Sequence, residues 1–303
     1  DRYAPRVARP DAVDALQSQV GWLTGIRALA NGGEGETVES MAWRVAALLR
    51  TGQAARAREW IDRVAGGMNP DGRVPPVFRA GGRPMPSAGD EGCPGTQGQW
   101  AFMVMEYYRF TQDAEFLQSR YPELRRAMGY LHRMRAGLEK AEARLPVEER
   151  ERVEGLLPPG GGRTVRTYAE HYWALLGWKE LRTAASILGL DRDATWADDQ
   201  YQALKASVRR SLRFRLDRSD VSWLPAVVEE DGFDADSVAL LFWPCEETDL
   251  VEPHELQSSL DRFYEQFLHR GEDGSAVHRP STDARLLVPL SMMGRGDYAR
   301  EVL

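Results

Sequence analysis

Cysteine and histidine are both scarce in this sequence, with two cysteines and five histidines among 303 residues. Cys93 and Cys245 stand far apart, and their spacing matches no metal motif. They could form one disulfide, but we expect two free thiols. No two histidines show a fixed spacing such as H-x-x-x-H. We therefore predict no metal site and no cofactor.

An excess of basic residues is also missing. The chain has 39 Lys and Arg against 46 Asp and Glu, which gives a formal net charge of −7 at pH 7. Proteins that bind nucleic-acid phosphates depend on clustered Lys and Arg side chains. This charge balance argues against a nucleic-acid partner.

Long hydrophobic runs are absent as well. No stretch of about 18 or more apolar residues occurs, and a helix needs about that length to cross a bilayer, so we expect no membrane partner. The chain does not open with a basic segment followed by an apolar one, as a secretory leader would. Because it begins with Asp1, the sequence leaves its location open between the cytoplasm and export with removal of a leader.

The residues that are present favour helices. Hydrophobic residues make up 43% of the chain, and they recur as amphipathic stripes with helical spacing along most of its length. Short polar turns, such as Thr51-Gly52 and Thr111-Gln112-Asp113, make consecutive helices antiparallel neighbours. Between such hairpins lie three long loops, at 68–95, 155–166 and 218–235.

This alternation of short turns and long loops predicts the architecture. We expect an all-α fold, in which helical hairpins form a toroid and residues 1–303 form one domain. The working face should lie on the side of the long loops, since loops on a rigid scaffold often carry function. The toroid could be incomplete at the C-terminus.

Some helix boundaries can be predicted from local signals. A first helix should follow Asp11, and the pair Thr96 and Gln99 forms a capping box that should begin a later helix. Pro122 should break the next helix near its second start. Asp193 is the expected N-cap of a further helix.

Several segments share their order and texture with a known family. They read D-G-R-V-P-P at Asp71–Pro76, Q-G-Q-W-A-F-M-V-M-E-Y-Y-R-F-T-Q-D-A-E-F-L at Gln97–Leu117, G-L-L-P at Gly155–Pro158, Y-A-E-H-Y-W-A-L-L-G at Tyr168–Gly177 and D-G-F-D-A-D-S at Asp231–Ser237. In this order they resemble the six-hairpin, (α/α)6-barrel glycosidases, which include glucoamylases and glycogen-debranching glucosidases. The resemblance covers roughly residues 36–300. It lies in the order and general character of these segments rather than in an invariant signature.

The resemblance implies a function and places its residues. It implies hydrolysis of α-linked sugar ends with inversion, and its acid at the head of the third hairpin maps onto Glu170. The second carboxylate would fall close to or beyond Leu303, although the resemblance also retains Asp234. The chain departs from the family at Val38–Trp43, which lacks an expected Arg-Asp pair, and before Gln97, where an acidic residue is expected.

The residues themselves support a pair of catalytic carboxyl groups. Glycoside cleavage needs one carboxyl to protonate the leaving oxygen and one carboxylate to activate water or attack. Glu170 lies at a helix start among aromatic residues, where burial would raise its pKa and make it the acid. The alternative is an ordinary first-turn glutamate favoured by the helix dipole. Asp234, in the densest acidic loop, is the second predicted catalytic residue.

Further residues are predicted to bind a carbohydrate ligand. Asp90 and Glu91, which end the 68–95 loop, could accept hydrogen bonds from sugar hydroxyls. Tryptophan rings can stack on the C–H faces of sugars, although Trp at helical spacing also belongs to cores. The predicted binding residues beside the long loops are Trp100, Trp173, Trp223 and His171.

Two other functions stay open at this point. The chain could be a catalytically silent carbohydrate-binding or structural domain, because its second carboxylate is not assigned with the first. It could also be a sugar epimerase or isomerase that moves a proton beside a carbonyl. In that case His171 would act together with His132, His254 or His278.

Overall fold

The computed structural model describes residues 35–79, 82–85, 92–269 and 280–302. The helix predicted after Asp11 lies outside these residues. Within the described ranges, a two-stranded antiparallel sheet pairs β1 (Glu36–Thr37) with β2 (Val77–Phe78). Everything else with regular structure is helical.

Twelve α-helices follow one another along the described part of the chain, with one short 3-10 helix at Thr248–Leu250. In chain order they are α1 (Val38–Arg50), α2 (Ala54–Gly67), α3 (Pro94–Thr111), α4 (Ala114–Ala136), α5 (Glu139–Glu142), α6 (Val147–Val153), α7 (Tyr168–Ile187), α8 (Asp191–Leu216), α9 (Ala235–Phe242), α10 (Pro253–Leu268), α11 (Pro280–Met292) and α12 (Gly296–Val302).

The helices pair into hairpins that form a ring, as predicted. Helices α1, α3, α7 and α9 form the inner wall: α3 packs against α1 and α7, and α9 packs against α7. Their partners α2, α4, α8 and α10 lie outside them, and α11 packs against α9 and α12. The Arg285 guanidinium of α11 lies 4.3 Å from the ring of Trp43 on α1, so that α11 closes the ring between α9 and α1. The fold is an all-α toroid of helical hairpins.

Short links and long loops lie at opposite ends of the inner helices. Turns at 51–53, 112–113, 188–190 and 293–295 join helices within hairpins. Longer segments at 68–93, 137–167 and 217–234 join successive hairpins. The apolar side chains between the layers form one continuous core cluster in the described chain. None of the described helices is long and apolar enough to cross a membrane.

Glycine allows the two central helices to approach closely. A Cβ on Gly98 of α3 would lie 1.8 Å from the carbonyl oxygen of Trp173 on α7. On the facing side, a Cβ on Gly177 would lie 2.9 Å from the Cα of Gly98. Both positions therefore need a residue without a side chain, because the backbones are in direct contact.

Four aromatic rings fill the middle of the ring of helices. Trp43 of α1 lies 5.7 Å from Trp173 of α7 and 5.2 Å from Trp243, which follows α9. Phe102 of α3 lies 5.8 Å from Trp173 and 5.9 Å from Trp243. We call these four rings the aromatic plug. Such centroid separations are typical of interacting aromatic pairs in cores.

Three of the predicted helix boundaries are wrong. Helix α3 begins at Pro94, and the Thr96 hydroxyl donates instead to the carbonyl oxygens of Cys93 (2.7 Å) and Val74 (3.0 Å). Proline is favoured in the first helical turn because the missing N–H is not needed there, and this signal overrides the capping box.

The other two errors concern α4 and α8. Helix α4 runs without a break through Pro122, because its buried stripe on either side, at Tyr121 and Leu124, stays in register. Helix α8 begins at Asp191 rather than at an Asp193 cap. The Asp193 carboxylate accepts hydrogen bonds from the Tyr121 hydroxyl (2.7 Å) and Arg125 Nε (3.1 Å), so tertiary contacts use the group that the local pattern assigned to a cap.

Candidate active site

A cavity of about 760 Å³ opens at the long-loop face of the toroid. The first turns of α1, α3, α7 and α9 all reach it, so these four helices point their N-termini at one space. The loops before α3, α7 and α9 complete its wall. Side chains that line it include Thr37, Glu39, Cys93, Thr96, Gln99, Arg163, Glu170, Trp173, Asp234, Asp236 and Ser237.

Glu170 occupies the first turn of α7 on the cavity wall. The Thr167 hydroxyl caps this helix by accepting the Glu170 N–H at 3.4 Å, which fixes where the glutamate side chain leaves the helix. The side chain is only 12% exposed. Its Oε1 lies 3.5 Å from the Arg163 guanidinium, and its Oε2 is buried without a hydrogen bond from the described residues.

The environment of Glu170 favours the protonated acid. Burial raises the pKa of Glu170, and the nearby Arg163 cation opposes the shift only in part. Two glycines make this burial possible. A Cβ on Gly160 would lie 2.9 Å from Glu170 Oε1, and one on Gly95 would lie 3.4 Å from Glu170 Cγ. The backbone of the Gly-rich loop thus packs directly on the carboxyl group.

Asp234 lies immediately before α9 and serves as its N-cap. Its Oδ2 accepts hydrogen bonds from the Ser237 N–H (3.1 Å) and the Ser237 hydroxyl (2.5 Å), as expected at this position. The described residues give Oδ1 no hydrogen bond. The cap therefore holds the carboxylate in place while leaving one oxygen for the cavity.

Two further carboxylates share the cavity wall with Asp234. Asp236 accepts hydrogen bonds from Thr282 Oγ1 and Arg285 Nη1, each at 2.9 Å. Glu39 accepts one from Trp43 Nε1 at 3.4 Å and lies 3.9 Å from Arg285. Burial raises the pKa of Glu39, and Arg285 opposes that rise. Arg285 thus connects the acidic groups of α1 and α9.

The structure brings only part of the predicted site together. Glu170, Asp234 and Trp173 all line the cavity. Trp100 is completely buried in the core and does not line it. Trp223 also lies off the cavity wall, with its ring 5.7 Å from that of Phe233 in an edge-to-face contact. Asp90 and Glu91 lie outside the described residues and stay predictions, as does His278.

His171 lies behind the cavity wall rather than in it. Its Nε2 accepts the Leu157 N–H at 3.1 Å, which leaves Nδ1 to donate to the Thr167 carbonyl at 2.7 Å. Burial lowers the pKa of His171 to about 4, so the ring is neutral at pH 7. Both ring nitrogens are used to attach the loop before α7 to the helix itself.

Several residues of the cavity wall were not predicted from the sequence. Glu39 stands in the V-E-S-M-A-W segment and Asp236 follows Asp234 by two residues, yet neither was singled out. Arg163 and Arg285 were missed as well. The D-A-D repeat of Asp234 and Asp236 at a helix start was a usable signal. The pairing of Arg285 with Glu39 could not be predicted from the sequence, because it depends on closure of the ring of helices.

The described residues hold no group of three or more His, Cys, Asp or Glu side chains placed to bind a metal ion. Both cysteines are free thiols, as expected. Cys93 lies on the cavity wall, where burial and the neighbouring Glu170 raise the pKa of its thiol. Cys245 is completely buried.

A second cavity of about 390 Å³ lies at the opposite ends of the same inner helices. Phe102 and Trp243 line it, whereas Trp173 lines the first cavity, so the aromatic plug separates the two. Two ion pairs contribute to its wall: Arg109 binds Glu180, and Arg50 lies 2.7 Å from Glu106. Each of these buried carboxylates therefore meets a guanidinium.

Comparison with known proteins gives structural but not sequence relatives. No family model matches the chain, and no curated protein matches it. The structure of alpha-L-rhamnosidase from Dictyoglumus thermophilum is similar, with a TM-score of 0.56 and 12% identity over 89% of this chain and 28% of that chain. The GH63 mannosylglycerate hydrolase from Thermus thermophilus, in complex with Tris, has a TM-score of 0.55 and 10% identity over 93% of this chain and 89% of its own.

These likenesses establish the fold. The chain has a helical (α/α) toroid fold, as these two proteins do, and it spans little more than a quarter of the rhamnosidase. The identities of 12% and 10% carry no information on substrate. The count of six hairpins stays a prediction.

Proposed function

We propose that this protein hydrolyses α-linked glycosides by general acid and base catalysis, with inversion at the anomeric carbon. One observation carries the proposal. A buried glutamate with a raised pKa, Glu170, shares a single cavity with three further carboxylates on other helices. Glycosidases need this combination of one protonated and one ionised carboxyl group. The fold shared with two glycoside-cleaving proteins supports the same chemistry.

Each carboxyl group has a role in this proposal. Glu170 gives its proton to the glycosidic oxygen while the bond from that oxygen to the anomeric carbon breaks. Asp234 accepts, through the Oδ1 that forms no hydrogen bond with the described residues, a proton from the water that adds to the anomeric carbon. Glu39 and Asp236 accept hydrogen bonds from sugar hydroxyls, and Trp173 provides an apolar floor. Inversion requires room for that water between acid and base, about 6.5–9.5 Å between the two carboxyl groups.

The alternative functions have less support. A sugar epimerase that uses His171 needs a ring nitrogen free to exchange protons with the ligand, and both nitrogens of His171 are engaged. A silent binding domain was attractive while no second carboxylate could be assigned beside Glu170. Against it stands the position of Asp234, Glu39 and Asp236, which line the same cavity as Glu170 and are candidates for that group.

The test compares variants on leaving groups of different quality. Nitrophenyl α-glycosides and the matching disaccharides of glucose, mannose and rhamnose are incubated with the wild type and with Glu170→Gln. We expect the variant to lose about 10² to 10⁴ in kcat/KM on disaccharides, which depend on a proton donor, and less on nitrophenyl glycosides, which leave unaided. Asp234→Asn should lose similar factors on both substrates.

The controls address folding and stereochemistry. Glu115→Gln changes an exposed first-turn glutamate of α4, far from the cavity, and should leave the kinetics and the thermal unfolding unchanged. Proton NMR of the first sugar released should show the β-anomer. A wild type that binds sugars but turns over none of these substrates would instead indicate a silent binding domain.

A further inference from the structure

The charges of the cavity wall are distributed unevenly. Four carboxylates line it, whereas Arg163 is its one cationic side chain within the described ranges. Glu39, Asp234 and Asp236 belong to the N-terminal ends of α1 and α9. Arg163 stands on the loop before α7, next to the proposed acid. The cavity therefore has an acidic side and a smaller basic side.

Arg163 differs from the other cation near the cavity. Arg285 makes a hydrogen bond to Asp236 and lies against Trp43, so its charge is already used within the protein. Arg163 is 54% exposed, and its ion partner among the described residues is Glu170, at 3.5 Å. When Glu170 is protonated, as an acid must be, this guanidinium has no other ion partner among the described residues.

We propose that Arg163 binds an anionic group on the leaving-group side of the scissile bond, so that the preferred substrates are glycosides whose aglycone carries a carboxylate or a phosphate. This inference rests on the function proposed above. The acid must lie within hydrogen-bond reach of the glycosidic oxygen. A guanidinium 3.5 Å from that acid can reach an anionic group of the aglycone that lies a few bonds beyond the oxygen.

The two sides of the cavity then select different parts of one substrate. A guanidinium binds carboxylate or phosphate through paired, charge-assisted hydrogen bonds. On the opposite side, Glu39, Asp234 and Asp236 would repel an anion but can accept hydrogen bonds from neutral sugar hydroxyls. A neutral sugar with an anionic aglycone therefore fits in one orientation, because the reverse orientation places like charges together.

Binding of the anion also assists the proton transfer. Without ligand, Arg163 favours the ionised form of Glu170, and an anion that neutralises Arg163 removes this effect. The proton of Glu170 then passes to the glycosidic oxygen, and the electron pair of the broken bond stays on that oxygen. Water adds to the anomeric carbon and gives its proton to Asp234, so that a free sugar and the protonated aglycone hydroxyl result.

The test uses three matched substrates that share one sugar and one α-linkage. Their aglycones are glycerol, glyceric acid and glycerol phosphate, and the sugar is varied among glucose, mannose and rhamnose. We expect the wild type to prefer an anionic aglycone over glycerol by about tenfold or more in kcat/KM, the size of one charge-assisted contact. The two anionic substrates decide between carboxylate and phosphate.

Substitution of Arg163 should remove the preference selectively. R163Q should reduce the preference for the anionic glycoside over the glycerol glycoside to about twofold or less, whatever its effect on the glycerol glycoside itself, and R163K should retain part of the preference. The alkaline limb of the pH profile of the wild type should also lie at higher pH with an anionic substrate than with the glycerol glycoside, because the anion neutralises Arg163. R56Q removes an exposed arginine on α2 and is the control for a general change of charge.

Binding measurements separate the inference from the proposed function. Calorimetric titration of the three glycosides into wild type and R163Q requires no turnover. Weaker binding of the anionic glycosides to R163Q alone supports the inference even if no glycoside is hydrolysed. Equal affinity of wild type and R163Q for all three, or a wild-type preference for the glycerol glycoside, overturns it.

Discussion

Gly160 controls how closely the loop before α7 approaches the proposed acid. A Cβ at this position would lie 2.5 Å from Pro94 Cδ, 2.8 Å from Cys93 Cα and 2.9 Å from Glu170 Oε1. Two of these atoms belong to the backbone or a proline ring, so they cannot move aside cheaply. Any side chain at 160 must therefore displace the loop and let water reach the carboxyl group of Glu170.

Gly160→Ala tests this relation at the level of one methyl group. We expect a loss of about 1–3 kcal/mol in the free energy of unfolding from overpacking. We also expect a lower pKa of Glu170, because hydration stabilises its ionised form, so that the alkaline limb of the activity profile moves to lower pH. Calorimetry and the pH dependence of kcat/KM measure the two effects.

A second reporter is independent of activity. Displacement of the loop should expose Cys93 and speed its alkylation by iodoacetamide, whereas Cys245 is completely buried and should stay unreactive. Gly66→Ala is the control, because a Cβ there meets no atom within 4 Å. If Gly160→Ala leaves the stability, the pH profile and the alkylation rate all unchanged, the loop does not confine Glu170.

His171 makes the stability of the protein depend on pH. Its pKa is about 4 in the folded state, against an ordinary value of 6.5. Above pH 6.5 the ring is neutral in both states and the fold has its full stability. Between pH 6.5 and 4 the unfolded chain binds a proton that the folded chain excludes, so stability falls by roughly 3 kcal/mol. Below pH 4 this group causes no further loss.

His171→Gln should remove this dependence. The glutamine cannot titrate, so the unfolding midpoint in urea should change less between pH 7 and pH 4 than in the wild type. Its stability at pH 7 should be lower, because the hydrogen bond to the Leu157 N–H depends on the imidazole geometry. Parallel curves for the two proteins over this pH range would contradict the assignment.

At the scale of secondary-structure elements, the contact of α3 with α7 is the tightest in the ring. A Cβ on Gly98 would meet the Trp173 carbonyl oxygen at 1.8 Å, and helix backbones cannot yield locally. Gly98→Ala should therefore cost about 3 kcal/mol or more in the free energy of unfolding, despite the better helix propensity of alanine. Thermal unfolding measures the loss.

Gly129 offers a matched control for this substitution. It lies in the interior of α4, and a Cβ there would lie 3.5 Å from the ends of two flexible arginine side chains. Gly129→Ala should stabilise the protein by about 0.5–1 kcal/mol through helix propensity alone. If Gly98→Ala and Gly129→Ala change the free energy of unfolding by the same amount, the close approach of α3 and α7 is contradicted.

The elements were largely predictable from sequence, whereas their ends were not. Apolar periodicity predicts helices along most of the chain, and in α1 and α2 the apolar stripe coincides with the face that packs. Local capping signals failed where a tertiary partner was available. Thr96 looks like an N-cap, but its hydroxyl reaches the Val74 carbonyl, 22 residues away, instead of the next helical turn.

At the scale of the whole molecule, the parallel inner helices give the toroid two electrically different faces. A helix carries about half a positive charge at its N-terminus and half a negative charge at its C-terminus. Glu39, Glu170 and Asp234 lie at the N-terminal ends. Arg50 and Arg109 lie in the last turns of α1 and α3, beside the opposite cavity. Both sets of charges complement the helix dipoles.

This polarity explains which site residues could be predicted. Glu170 and Asp234 each stand at a helix start beside a long loop, so the sequence singles them out without the ring. Glu39 and Asp236 become neighbours only when Arg285 on α11 meets both α1 and α9. Nothing in the local sequence of Glu39 indicates this partner, because the contact spans most of the chain.

The aromatic plug closes the inner end of the cavity at the long-loop face, so this cavity has a single opening. The passage through the toroid is blocked by the four rings of the plug, Trp43, Phe102, Trp173 and Trp243. Any molecule that enters at the long-loop face therefore has to leave at that face. A polymer cannot thread through; only its terminus can be inserted. If the protein hydrolyses glycosides as proposed, each released sugar has to leave by the long-loop face before the next chain end can enter, so product release contributes to the turnover rate together with bond cleavage.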